Sequence, residues 1–126
     1  MGNILILEND KSLGSLIVEL LKSKGHKADL CTDAEHALIN LRNNKPDIFI
    51  TDLFLQGMSG EELIKIMEKE SLTIPTIVIS GFIPNKVRGE LEQIPFVLKC
   101  YKKPFDLLEF SLSIDSYLDN FKKNRA

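Results

Sequence analysis

The 126-residue sequence has no tryptophan, only two cysteines and no apolar run long enough for a membrane helix. The longest early run, Ile4-Leu5-Ile6-Leu7, is broken at once by Glu8. That is too short for a spanning segment of about 20 residues or for a signal-peptide core. Ile6 stands where a myristoylation signal after Gly2 wants Ser or Thr. Cys31 and Cys100 match neither a CxxC redox motif nor a zinc spacing, so they read as reduced, packed thiols. Neither sign of charge dominates: 16 Lys and Arg face 18 Asp and Glu, and a net charge of −2 offers no footprint for nucleic acid or an anionic membrane. The short basic end, Lys122, Lys123 and Arg125, is too small to alter this and reads as a solvated helix terminus or the stub of a linker. Repeats, low-complexity stretches and Gly/Ser or Pro-rich linkers are also missing. The expectation is one cytoplasmic domain over residues 1–126, long enough to bury a core without staples.

What is present is an alternation of two patterns. Short apolar runs at Ile4–Leu7, Ile48–Thr51 and Thr76–Ile79 are β-branched or leucine-rich and bounded by polar, Gly or Pro residues, which predicts buried strands. Lys27–Cys31 alternates as an edge strand does, and a fifth strand ends near Tyr101. Between them Leu13, Leu16, Ile17, Leu20 and Leu21 place one apolar stripe on a first helix that Gly25 ends. Thr32-x-x-Glu35, Ser59-x-x-Glu62 and Asp106-x-x-Glu109 mark three further helix starts. The last helix shows Leu107, Phe110, Ile114, Leu118 and Phe121 on one side, and Asn85 to Gln93, with Val87 and Leu91 as apolar contacts, reads as a fourth. The order βαβαβαβαβα implies an α/β fold, a doubly wound five-stranded parallel sheet with helices on both faces. In such sheets the functional crevice lies at the carboxyl ends of the strands, where strand order reverses.

The residues at those ends are Glu8-Asn9-Asp10, Asp52, Ser80-Gly81 and Lys103-Pro104. Singly, each reads as a turn, cap or solvated residue. Together they form a rim of hard oxygen ligands suited to Mg2+, with a cation facing them. A carboxylate beside a divalent cation can attack phosphorus and form an acyl phosphate, because the metal and a lysine neutralise the equatorial oxygens. Ser80 would donate a hydrogen bond to the phosphoryl group. No GxxxxGK nucleotide loop occurs, and neither a Ser–His nor a Cys–His pair can be placed at the rim. His26 and His36 are not required and are expected at the surface.

Four stretches carry a resemblance over essentially the whole chain: ILILENDKSL (4 to 13), PDIFITDLFLQGMSGEELI (46 to 64), IPTIVISG (74 to 81) and KKPF (102 to 105). In this order they resemble the receiver domain of two-component response regulators, with its flavodoxin-like (βα)5 fold. The resemblance implies Asp52 as phosphoacceptor, Glu8 and Asn9 at the acidic-pair positions beside Mg2+, and the backbone carbonyl of Phe54 as a further metal ligand. It implies Ser80 as the switch hydroxyl and Lys103 as the lysine that meets the phosphoryl group. The implied donor is a sensor histidine kinase or a histidine phosphotransfer protein; the downstream effector is unknown and a homodimer is open. The chain leaves no room for an effector domain, so it is either a stand-alone receiver or part of a longer regulator or hybrid kinase. It is not an enzyme beyond assisting its own phosphorylation and dephosphorylation.

Three departures stand out. Asn9 replaces the second acid of the pair, which predicts weakened Mg2+ affinity. Asp10 is expected to cap the first helix rather than bind metal. Cys100 stands where the family carries an aromatic ring that follows the switch hydroxyl, and Tyr101 should point to the other face by strand alternation. Gln56 replaces a frequent Pro in the loop after Asp52. These changes make an alternative credible: a degenerate receiver acting as a phosphate-independent interaction module. A Mg2+-dependent phosphatase would need a second Asp two residues after Asp52, where Phe54 stands.

Overall fold

The apolar runs become five parallel strands: β1 (Asn3–Leu7), β2 (Lys27–Cys31), β3 (Ile48–Asp52), β4 (Thr76–Ser80) and β5 (Val97–Lys102). Each is followed by a helix: α1 (Lys11–Ser23), α2 (Ala34–Asn44), α3 (Gly60–Lys69), α4 (Asn85–Glu92) and α5 (Leu107–Arg125). The computed structural model describes residues 2–55 and 57–125, with side chains as far as Phe121. The Gln56 substitution and the side chains of Lys122, Lys123 and Arg125 lie outside the described residues.

The strand order is β2-β1-β3-β4-β5, so the chain reverses direction across the sheet between β1 and β3. Period-2 alternation divides the core into two layers. Leu5, Leu7, Phe49, Val78 and Cys100 point to the side covered by α2, α3 and α4. Ile4, Ile6, Ile48, Ile50, Ile77, Ile79 and Tyr101 point to the side covered by α1 and α5. Cys100 and Tyr101 thus face opposite layers, as the alternation predicts. Tyr101 packs on Phe105 and Phe110, and its hydroxyl is buried without a hydrogen-bond partner. Both cysteines are free thiols, and burial is the main cause that pushes each above its ordinary pKa. No helix among the described residues is long and apolar enough to cross a membrane.

Several sequence expectations need correcting. The cap of α2 is Asp33, whose carboxylate accepts from the His36 amide at 2.9 Å, rather than Thr32; the fold starts the helix one residue later than the capping box suggests. Leu16 is 48% exposed; Gly14 and Val18 turn inward instead, and Gly14 lets Leu30 pack where a Cβ would sit within 3 Å of it. His26 is buried: its Nε2–H donates to the Asp115 carboxylate on α5 at 2.6 Å while its Nδ1 accepts from the Gly2 amide. His36 is exposed, as expected. The other helix starts hold: the Ser59 hydroxyl accepts from the Glu62 amide, Asp106 from that of Glu109, and Gly25 ends α1 at a φ of 92°.

Candidate phosphoryl-transfer site

The C-terminal ends of β1 and β3 adjoin, with Leu7 in register with Thr51, so Glu8 and Asp52 emerge side by side at the point where strand order reverses. Asp52 is itself the last residue of β3 and is almost wholly buried. Glu8 is fully buried at 0% exposure. Two acids cannot be desolvated together without a counter-charge, and Lys103 supplies it from just past β5. Its ammonium bridges Glu8 Oε1 and Asp52 Oδ2, the latter at 2.7 Å. Burial works to lower the Lys103 pKa, but its hydrogen bonds to Asp52 and Glu8 and their charges outweigh that and hold it above the ordinary value.

The remaining carboxylate oxygens are taken by backbone amides. Asp52 Oδ1 accepts from Phe54 N–H at 3.0 Å, and Glu8 Oε2 from Asp10 N–H at 3.2 Å. Asp10 turns away to cap α1, accepting from the amides of Ser12 and Leu13 at 3.0 and 3.1 Å. Asn9 lies exposed beside Glu8. Ser80 ends β4 and is fully buried; its hydroxyl donates to the Phe82 carbonyl at 3.2 Å rather than toward Asp52. The Lys103 amide donates to the Ser80 carbonyl at 2.7 Å, which ties the ends of β4 and β5 together.

Glu8, Asp52 and Lys103 therefore meet, the Phe54 backbone adjoins Asp52, and Ser80 is tied to Lys103 through its backbone carbonyl while its hydroxyl is turned to Phe82. The convergence of two carboxylates on one ammonium is also the test for a metal: oxygens that already share one cation fit a hard divalent ion. Among the described residues no three His, Cys, Asp or Glu side chains form a metal cluster; beside Glu8 stands the amide of Asn9, and Asp10 is engaged as a cap.

Gly60 is a site residue that sequence reasoning missed. Its amide donates to the Leu53 carbonyl at 2.9 Å, and a Cβ on it would overlap the backbone carbonyl of Asp52. The signal was the glycine immediately after the Ser59 cap. Gly60→Ala is expected to push α3 from the end of β3 and cost about 1–3 kcal/mol, as overpacking does, read from urea unfolding.

Comparison with known proteins shows the family and the fold. The family model of the response regulator receiver domain matches residues 4–112. The chain is 34% identical over 104 residues to the sensory transduction protein RegX3 of Mycobacterium bovis, covering 80% of this chain and 45% of that protein. It is 27% identical over 115 residues to the nitrogen assimilation regulatory protein NtrX of Azorhizobium caulinodans, covering 90% of this chain and 24% of that protein. The chain thus spans less than half the length of these curated relatives. In fold it is similar to a CheY-like response regulator receiver domain protein from Methanospirillum hungatei, with a TM-score of 0.89, 19% identity and 98% of each chain covered.

Proposed function

The chain belongs to the response regulator receiver domains, which are signalling domains rather than classical enzymes, and on that premise we propose a switch worked by phosphorylation of Asp52. Residues 1–126 act as one receiver unit in the cytoplasm, and the donor is a phosphohistidine on a sensor kinase or a phosphotransfer protein. The observation that carries this reading is the Lys103 bridge, which holds a buried carboxylate and a positive charge together at the carboxyl end of the sheet.

An Asp52 oxygen attacks phosphorus; the new O–P bond forms as the P–N bond breaks, and the imidazole keeps the electron pair and takes up a proton. Phe54 N–H holds one carboxylate oxygen, so the other is presented in a fixed direction. Lys103 faces the oxygens of the transferred group. The Ser80 hydroxyl exchanges its Phe82 partner for the phosphoryl group, and the Ser80–Lys103 backbone bond carries that change into β5. Glu8, Asp52, Asn9 and the Phe54 carbonyl would hold a Mg2+ ion, which would supply charge neutralisation at the transferred group.

The test is incubation with acetyl phosphate and Mg2+ followed by intact-mass measurement: one phosphoryl adduct is expected, and none would overturn the reading. Asn9→Asp adds a carboxylate beside Glu8 and is expected to tighten Mg2+ binding about tenfold, checked by titration calorimetry. Equal affinities would refute the weakening assigned to Asn9.

A further inference from the structure

Thr51 is a polar side chain in a wholly buried strand, and the chemistry described above does not use it. It stands in register between Leu7 of β1 and Val78 of β4, both fully buried and apolar, a place that suits valine or isoleucine. A hydroxyl taken from water into such a place costs free energy unless it finds an acceptor. The Thr51 hydroxyl donates to the backbone carbonyl of Asp52 at 2.9 Å. That carbonyl is the first of three successive backbone groups that lead away from the acceptor, and each is held. Asp52 C=O accepts from Thr51, Leu53 C=O accepts from the Gly60 amide at 2.9 Å, and Phe54 N–H donates to Asp52 Oδ1 at 3.0 Å.

We infer that Thr51 is a positioning residue for phosphoryl acceptance: through the Asp52 carbonyl it fixes the peptide that brings Phe54 N–H onto Oδ1, and so fixes how the other oxygen is presented. This rests on Asp52 as the acceptor and adds the side chain that holds its geometry from within the strand. A peptide group is planar, so a hold on its carbonyl is also a hold on the direction in which Leu53 and Phe54 continue. Gly60 approaches the same carbonyl so closely that a Cβ would overlap it, which leaves the peptide little room on the α3 side. Without the hydroxyl, the Asp52–Leu53 peptide is free to tilt, and Phe54 N–H tilts with it.

The experiment compares the native chain with Thr51→Val and Thr51→Ser, which separate the hydroxyl from the methyl group. Valine keeps the shape and loses the donor; serine keeps the donor and leaves a methyl-sized gap in the packing. Two quantities are read: the initial rate of adduct formation from acetyl phosphate and Mg2+, by intact mass, and the Phe54 amide proton resonance of the unphosphorylated chain. Thr51→Val is expected to take up the phosphoryl group about tenfold more slowly, as the loss of one orienting hydrogen bond implies. Its Phe54 amide proton should move upfield as the bond to Oδ1 lengthens. Thr51→Ser is expected to stay within about threefold of the native rate and to keep the native resonance. The opposite order, with the serine variant slow and the valine variant native, would mark a packing role and overturn the inference. Equal rates in all three forms, or a Phe54 resonance that stays in place in Thr51→Val, would overturn it as well. Failure of the switch reading shows differently: if no form takes a phosphoryl group, the acceptor assignment falls, while the Phe54 resonance, read without a donor, still decides whether Thr51 holds the carboxylate in place.

Discussion

Asp52→Asn is expected to take no phosphoryl group from acetyl phosphate under conditions that convert the native chain to its single adduct. The substitution is nearly isosteric, and an amide oxygen in place of Oδ1 still accepts from Phe54 N–H, so the strand end keeps its shape. What disappears is the anionic nucleophile, since a carboxamide does not displace a phosphorus leaving group. The effect is all or none in the mass spectrum. An adduct that persists in Asp52→Asn would move the acceptor to another side chain and overturn the assignment, while the fold, read from its far-ultraviolet dichroism, should be unaltered.

Lys103→Met has the largest effect expected on stability. Taking away one member of a buried ionic group leaves the others desolvated and uncompensated, and here both Glu8 and Asp52 lose the same partner. A loss of about 3 kcal/mol is expected, at the low end for such groups because the lysine retains some exposure to water. Glu8→Gln in the same chain should recover part of it by removing one of the stranded charges. The sign of the pH dependence follows from the raised Lys103 pKa. Its contribution is fully present below the ordinary lysine value of about 10.4, and is lost as pH rises through the higher folded value. Urea unfolding at neutral pH and again in strong alkali should therefore show the gap between native chain and variant narrowing only in alkali.

The parts of the molecule legible in the sequence are those written over short distances. Ile4–Leu7, Ile48–Thr51 and Thr76–Ile79 declare themselves as buried strands because both faces of each are covered, so no polar residue interrupts them. Asp10 and Ser59 cap the helices they were expected to cap, since the groups they satisfy lie two or three residues on. The site was legible for the same reason: once the strands are placed, Glu8, Asp52 and Lys103 fall at their ends. What stayed hidden depends on partners far along the chain. His26 is buried through Asp115, 89 residues away, and Arg42 on α2 forms a two-pronged pair with Glu70 at the end of α3. The direction of the Ser80 hydroxyl and the tight approach of Gly60 depend on where neighbouring backbone lies, which residue types alone do not state.

The lack of tryptophan has a practical counterpart in the aromatic cluster. Ultraviolet emission and near-ultraviolet dichroism arise here from Tyr101 and Tyr117 over a phenylalanine background. Tyr101 is locked against Phe105 and Phe110 at centroid distances of 5.7 and 5.2 Å, two residues from Lys103. A buried, asymmetrically packed phenol gives a strong chiral signal, and its position next to the lysine strand end makes it a built-in optical gauge of that region. The chain can be followed in solution without a dye, a fusion or an introduced indole.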